Sequence, residues 1–230
     1  PTKHWPAASN SPPVEMTFHE NAHGVLDGDP RVEGLYLATR WSTARGTGAR
    51  SIAAMTAMFH ADSVAAGMKL LGLIETAWNW VCADRHGSIG YQMSGCMPRR
   101  APGKRGFVPL AGWDPENDWR GEVPASELPR EIDPSRGFIV TANEDRNHLG
   151  IAKPINVPMG AYRAERIAAE LAARDDWTVE SIHALQHDVY STQAERFLPV
   201  LLPCLPDTAA ADVLRHWDRR YDPASRGAAL

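Results

Sequence analysis

The chain has 230 residues, of which 24 are Lys or Arg and 28 are Asp or Glu, so its formal net charge is −4. This balance gives no electrostatic reason to expect nucleic acid or an anionic membrane as a partner. The length is enough for one large domain or two modest ones, and no apolar run approaches the length that spans a membrane.

The N-terminal part is predicted to be a flexible leader over residues 1–15, followed by a β-rich segment over residues 16–48. The leader is polar and Pro-rich and lacks the basic and apolar regions of a signal peptide. The β-rich segment contains the partly alternating run GLYLATRW and the turn sequence DGDP, which favour short strands. Helical patterns then cover 51–61 and 62–77, with Asp62 as the predicted N-cap of the second.

Residues 49–160 are predicted to form an α+β segment, because the two helices are followed by runs of alternating polarity. These runs flank Arg-His-Gly and predict a β-hairpin over residues 78–95. A Pro-rich irregular segment covers 97–136, and GFIVTA at 137–142 is the strongest strand pattern in the chain. Residues 161–230 are predicted to be helical, with helices at about 161–174, 178–190, 192–202 and 207–217. Mixed strands, helices and a helical tail indicate the α+β class.

The chain has three cysteines, Cys82, Cys96 and Cys204. The number is odd and no pair has CxxC spacing, which is typical neither of a disulfide framework nor of a zinc ribbon. Cys82 and Cys96 flank the predicted hairpin and could approach each other. Three buried free thiols are the favoured interpretation, and the redox state stays open.

One short motif, His19-Glu20-Asn-Ala-His23, matches the HExxH pattern of zinc peptidases. That chemistry requires a helix, so that both imidazoles project from one face with the carboxylate beside the metal-bound water. Here Gly24 follows at once, and nothing on either side has helical periodicity. A zinc-dependent peptidase is therefore kept only as a minor alternative.

Asn143 follows directly after the predicted strand 137–142. Such an asparagine is most often a turn residue, because its side chain bonds the local backbone and tolerates a positive φ. The functional alternative is that the side-chain NH2, held at the end of a buried segment, donates to the oxyanion that forms when a carbonyl is attacked.

Arg163 lies in the first turn of the predicted helix that begins near residue 161. A cation at this end of a helix opposes the helix dipole. The small penalty suggests that Arg163 has a partner elsewhere, and a solvated surface arginine is the simpler alternative.

Six motifs follow one another along the chain, and together they carry more information than any one alone. They are the hairpin sequence DxxGxIGY, GWDxxxxWxG, LPR followed by GFIVTAN, YRAxRI, LQxDVxS and FLPxLL. In this order they resemble the β-subunit of the penicillin acylase family of N-terminal-nucleophile hydrolases. The resemblance runs from about Phe18 to the C-terminus.

The resemblance implies part of an αββα fold with a β-hairpin region and a mainly helical C-terminal half. It also implies hydrolysis of a linear amide by an N-terminal Ser whose own α-amine, titrating near pH 8, acts as the base. Asn143 matches the family's oxyanion asparagine, and Arg163 matches the arginine beside it. The expected partners are the remaining α- and β-subunit segments and a small amide substrate. The resemblance further implies a periplasmic or secreted location, and calcium in the full-length enzyme of some members.

Two departures from the family pattern affect the site. Glu144 stands where the family has a second Asn, and we expect its carboxylate to point away from the site. Residue 1 is Pro, and neither Ser9 nor Ser11 has family-like surroundings, so we expect the nucleophile to lie outside this chain and the chain alone to be inactive. The alternative of a different class is a non-catalytic binding or assembly module that uses the Trp-rich loop at 112–123 as a contact surface.

Overall fold

A computed structural model describes residues 2–5, 14–43, 48–155 and 157–230. The chain divides into two compact units. The first comprises Pro1–Ile132 and Asn147–Asn156, and the second comprises Asp133–Arg146 and Val157–Leu230. The sequence placed residues 133–146 with the preceding α+β segment, whereas the structure groups them with the C-terminal helices.

The N-terminal part of the first unit consists of short antiparallel strands. Strand β1 (Thr2–Trp5) pairs with β2 (Val14–Thr17). Strand β4 (Gly24–Leu26) lies between β3 (Glu20–Asn21) and β5 (Ala38–Thr39). The predicted leader thus contains β1 and the start of β2, which its composition did not indicate, and its residues 6–13 lie outside the described ranges.

The first turn of helix α1 (Ala49–Ala57) is bound by a buried carboxylate from another segment of the first unit. Glu75 Oε2 accepts hydrogen bonds from Gly48 N at 2.5 Å and from Ser51 Oγ at 3.0 Å. The bond from Gly48 N, together with one from Ser51 N at 3.4 Å, satisfies N–H groups that a helix start leaves without partners. The backbone N–H of Gly48 makes the largest contribution to lowering the pKa of Glu75 below its ordinary value, with burial opposing it.

Helix α2 (Val64–Leu71) is capped by Ser63, whose hydroxyl accepts from Ala66 N at 3.3 Å. The prediction that Asp62 is the N-cap is therefore wrong by one residue. Asp62 instead accepts a hydrogen bond from the Ser63 hydroxyl through its Oδ1 atom. The reason is conformational, since Ser63 has the extended φ and ψ that an N-cap requires.

The β-hairpin is confirmed by strands β6 (Asn79–Ala83) and β7 (Ile89–Met93), which pair from Asn79 with Met93 to Ala83 with Ile89. Strand β8 (Arg130–Ile132) continues the sheet on the other side of β7. In the turn, Gly87 has a φ of 94°, and Asp84 accepts from the backbone N–H of Ser88.

The IGY sequence of β7 is explained by close packing against α2. A Cβ on Gly90 would lie 2.4 Å from Val64 Cγ1 and 2.6 Å from Met68 Sδ, so a larger residue fits only if these side chains of α2 move. The neighbouring Tyr91 is completely buried, and its hydroxyl donates to Asn79 Oδ1 at 2.7 Å. A small apolar core of Ala54, Leu71 and Ile74 lies beside this contact.

The strand predicted at 137–142 is not present. Val140 and Ala142 are buried, but none of these residues belongs to a β-ladder within the described ranges. A strand requires a neighbouring strand for its backbone hydrogen bonds. The apolar composition of this segment is therefore explained by burial of its side chains rather than by membership of a sheet.

The second unit is mainly helical, as predicted. Its helices are α3 (Tyr162–Ala172), α4 (Val179–Gln186), α5 (Thr192–Leu201) and α6 (Ala209–Arg215). Hydroxyl side chains of Thr178, Ser191 and Thr208 cap the last three. Thr178 and Ser181 form a reciprocal capping box.

The three cysteines are free in the structure. Cys82 and Cys96 are half-buried and Cys204 is exposed, so the expectation of three buried thiols is wrong for Cys204. None of the helices in the described ranges combines the length and apolar character that crossing a membrane requires.

Candidate active site

The two predicted site residues meet within the second unit. Arg163 is the second residue of α3, and its Nη2 atom donates to Asn143 Oδ1 at 2.6 Å and to Ala142 O at 2.8 Å. The prediction that this cation has a partner outside its own helix is confirmed. Both acceptors lie at the end of the segment 137–143, so one guanidinium connects α3 to that segment.

The contact with Arg163 fixes the orientation of the Asn143 side chain. A guanidinium carries only donors, so the amide atom that faces it must be the oxygen. The Nδ2 atom is consequently directed away from Arg163, and it has no hydrogen-bond partner among the described residues. Asn143 is also exposed, so two N–H groups are presented toward solvent in a defined direction.

The backbone of Asn143 is held in the left-handed region, with a φ of 74°. Asn accepts this conformation more readily than most residues, although it remains uncommon. The Asn143 carbonyl accepts a hydrogen bond from Met159 N at 3.1 Å, which fixes the peptide that follows. Backbone and side chain are therefore both constrained, as a preorganised donor requires.

The carboxylate of Glu144 has partners that compensate its charge. Its Oε2 accepts from Ala142 N at 2.7 Å, and its Oε1 lies 3.1 Å from Arg146 Nη1, which also donates to Val140 O. The side chains of Glu144 and Arg146 are only 12% and 7% exposed. The carboxylate is used to stabilise the buried turn that carries Asn143, a role that a single sequence does not reveal.

A second ion-pair cluster is formed by Arg166, three residues after Arg163 in α3. Arg166 Nε donates to Asp188 Oδ2 at 2.6 Å, and Arg220 Nη1 lies 3.4 Å from Asp188 Oδ1. Burial alone would raise the pKa of Asp188, but the hydrogen bonds from Arg166 and from Tyr190 N lower it below its ordinary value. The motifs YRAxRI and LQxDVxS are thus linked by an ion pair that positions the helix carrying Arg163.

The HExxH motif does not have zinc-peptidase geometry. Glu20 lies in β3, and the motif continues through a turn rather than a helix. His19 Nε2 lies 3.8 Å from Asp29 Oδ1, while His23 Nδ1 lies 3.4 Å from Asp118 Oδ1. No group of three or more metal-ligating side chains occurs in the ranges that the structure describes. The zinc alternative is not supported.

The first unit contains a cavity of about 890 Å³ that the sequence did not predict. Trp41 and Trp119 contribute its aromatic surface, and the Arg40 guanidinium stacks 4.4 Å from the centre of the Trp119 ring. Trp119 is the second tryptophan of the GWDxxxxWxG motif, so one part of that motif builds a cavity wall. Trp113, the first, is 79% exposed.

Comparison with known proteins places these features in a family. Residues 2–230 match the family model described as penicillin amidase. Penicillin acylase 2 proenzyme of Pseudomonas sp. (strain SE83) is 34% identical over 227 residues, which is 93% of this chain and 28% of that protein. The acyl-homoserine lactone acylase QuiP of Pseudomonas syringae pv. tomato is 31% identical over 80% of this chain and 22% of its own length.

The fold is similar to that of a solved structure, a thermostable penicillin G acylase from Alcaligenes faecalis. The TM-score is 0.75 at 20% identity, with 96% of this chain and 41% of that chain covered. The likeness confirms the α+β class and the N-terminal-nucleophile hydrolase fold. The chain therefore corresponds to between about a fifth and two fifths of the lengths of these three proteins.

Proposed function

Because the chain belongs to the penicillin amidase family, we propose that it forms part of an amidohydrolase that cleaves a linear amide between an acyl group and an amine. The observation that carries the proposal is the hydrogen bond from Arg163 to Asn143 Oδ1, which leaves the amide NH2 available as a donor. In this proposal the nucleophile is an N-terminal Ser outside the chain.

Asn143 acts on the oxyanion. When the Ser hydroxyl attacks the amide carbonyl, the carbonyl oxygen gains negative charge, and Asn143 Nδ2–H donates to it. A donor fixed before the reaction pays no reorganisation cost as the charge develops, and one such donor contributes about 3–4 kcal/mol to transition-state stabilisation. The nucleophile's own α-amine takes the proton of the Ser hydroxyl and passes it to the leaving amine when the tetrahedral intermediate collapses. Water then hydrolyses the acyl-enzyme.

Arg163 is a positioning residue in this scheme. Its guanidinium holds Asn143 Oδ1 and Ala142 O at once, so it selects one rotamer and one face of the amide. Its positive charge also polarises the amide and makes the NH2 a stronger donor. The Glu144–Arg146 pair supports the same turn from the buried side.

The substrate class is a linear amide with an amine-bearing core. Relatives bear the names penicillin acylase and acyl-homoserine lactone acylase, which makes a β-lactam nucleus and a homoserine lactone the first candidates, with a lipopeptide as a third. We propose that the remaining α- and β-subunit segments complete the acyl pocket, and that the enzyme works in the periplasm or outside the cell. Calcium, where present, would be held mainly by residues of those segments.

The second candidate function is a non-catalytic binding module of the same fold. It is favoured by the exposed Trp113 and by the cavity beside Trp119. The two candidates differ in whether an acyl-enzyme forms.

The test is to express the reading frame that contains this chain, incubate it with chromogenic acyl anilides and acyl-homoserine lactones, and locate the acyl group by mass spectrometry. We expect turnover and an acyl group on an N-terminal Ser outside residues 1–230. Absence of turnover with every acyl amide would favour the binding module. Acylation within the chain would refute our account of the nucleophile.

A further inference from the structure

Two histidines converge at the C-terminal end of α4, in a part of the second unit that the proposed reaction does not use. His183 lies in the last turn of the helix, and His187 is its C-cap, four residues later. Their Nε2 atoms are 3.2 Å apart, and their rings are inclined at 69° with centroids separated by 4.6 Å. Both side chains are exposed.

The spacing of the two nitrogens suits chelation of one metal ion. Imidazole nitrogens bind zinc at about 2.0–2.1 Å, so a separation of 3.2 Å places the two bonds at about 100° to each other. That angle lies between the 90° of square-planar or octahedral ligands and the 109° of tetrahedral ones. Histidines at i and i+4 on one helix face are also the pair that zinc peptidases use.

The pair is preorganised because both ends of α4 are fixed. The capping box of Thr178 and Ser181 holds the start of the helix. Asp188, the residue after His187, is held by Arg166 and Arg220. A rigid support of this kind reduces the entropy lost when two side chains bind one ion.

We propose that His183 and His187 form a surface site for a divalent transition-metal ion of the Cu²⁺, Ni²⁺ or Zn²⁺ class. Neutral imidazole suits these ions, whereas Ca²⁺ and Mg²⁺ require oxygen ligands. No third metal-ligating side chain joins the pair among the described residues, so water fills the other coordination positions and the ion remains exchangeable. The order of affinity is expected to place Cu²⁺ first.

Binding requires a change of tautomer. The present contact between two Nε2 atoms needs one ring protonated on Nε2 as the donor. When both Nε2 atoms bind the metal, that ring gives up its Nε2 proton and carries its proton on Nδ1.

The test uses the untagged full polypeptide that contains this chain, titrated with Cu²⁺ and then Ni²⁺ by calorimetry and by visible absorption of the Cu²⁺ complex. We expect a one-to-one binding event that His183→Gln and His187→Gln each weaken at least tenfold. The double variant should bind Cu²⁺ about as weakly as each single variant does, because one imidazole alone does not chelate the ion. Excess Ca²⁺ should not compete.

His216→Gln is the matched control, since His216 is also an exposed helix C-cap but has no histidine four residues earlier. It should bind Cu²⁺ like the wild type. Circular dichroism of each variant checks that α4 remains folded. A binding event unchanged in either single variant, or no difference between wild type and the double variant, would overturn the proposal.

Discussion

Removal of the Asn143 side chain is the perturbation that separates a catalytic donor from a turn residue. Loss of one oxyanion donor lowers kcat by about 10²–10³-fold. In Asn143→Gly the backbone keeps its φ of 74° without strain, because Gly occupies the left-handed region freely. Arg163 also keeps Ala142 O as an acceptor. We therefore expect a correctly folded parent enzyme with a kcat lower by about 10²–10³-fold and little change in KM.

Two further substitutions at Asn143 distinguish the backbone from the amide. Asn143→Ala should show the same loss of kcat, with an additional destabilisation of about 1–2 kcal/mol from left-handed strain. Asn143→Asp retains an oxygen for Arg163 but places a carboxylate oxygen where the NH2 was. Because this oxygen repels the developing oxyanion, Asn143→Asp should be at least as impaired as Asn143→Gly.

The assay is steady-state hydrolysis of a chromogenic acyl anilide by the parent enzyme, with active-site titration to count competent molecules. Asn147→Ala is the control, because the Asn147 amide is bonded to Ile155 N and Ile155 O, and its loss should affect stability rather than kcat. A kcat for Asn143→Gly within threefold of wild type would refute the assignment. So would an Asn143→Asp enzyme that is more active than Asn143→Gly.

Two other substitutions test the surroundings of the site in the parent enzyme, and a third tests the start of α1 in the first unit. Arg163→Met, which removes both hydrogen bonds from Nη2, should lower kcat by about 10–100-fold through the loss of the charge-assisted hydrogen bond to Asn143 Oδ1. Combined with Asn143→Gly it should add little further loss, and additive effects would contradict a shared role. Glu144→Ala leaves the buried guanidinium of Arg146 without its carboxylate and should reduce the free energy of unfolding, measured in urea, by about 3 kcal/mol. Asp176→Ala is the control, because it breaks an exposed ion pair and should leave the free energy of unfolding unchanged. The pKa of Glu75 is lower in the folded state than its ordinary value of 4.5, so the contribution of Glu75 to stability is complete above pH 4.5 and is lost as the pH falls through the folded pKa. Glu75→Gln should flatten this part of the acid-unfolding curve. An unchanged curve would show that the hydrogen bonds to the start of α1 are unimportant.

Local patterns in the sequence predicted the elements whose hydrogen bonds join residues that are close together in the chain. The hairpin of β6 and β7 and the four helices of the second unit depend on nearby residues, and all were found close to their predicted positions. The cap of α2 was misplaced because Asp62 and Ser63 are both good caps and only the backbone conformation separates them.

Elements that depend on distant partners could not be predicted in the same way. The segment 137–142 has the composition of a strand, but a ladder needs a neighbour that a pattern within one segment cannot supply. Asp188 is bound by a helix that begins 26 residues earlier. Arg163 was an informative exception. A cation in the first turn of a helix opposes the helix dipole, and this indicated a partner outside α3, which the structure shows to be Asn143 and Ala142.

The central claim is that the Asn143 NH2 is presented to an oxyanion while Arg163 holds Oδ1. A crystal structure of the parent enzyme with a boronate or phosphonate bound to the nucleophile tests it most directly. We predict that Asn143 Nδ2 lies about 2.7–3.1 Å from the inhibitor oxygen that mimics the oxyanion, with the bond from Arg163 to Oδ1 unchanged. An oxyanion mimic bound by other donors, with Asn143 Nδ2 beyond hydrogen-bond distance, would contradict the claim.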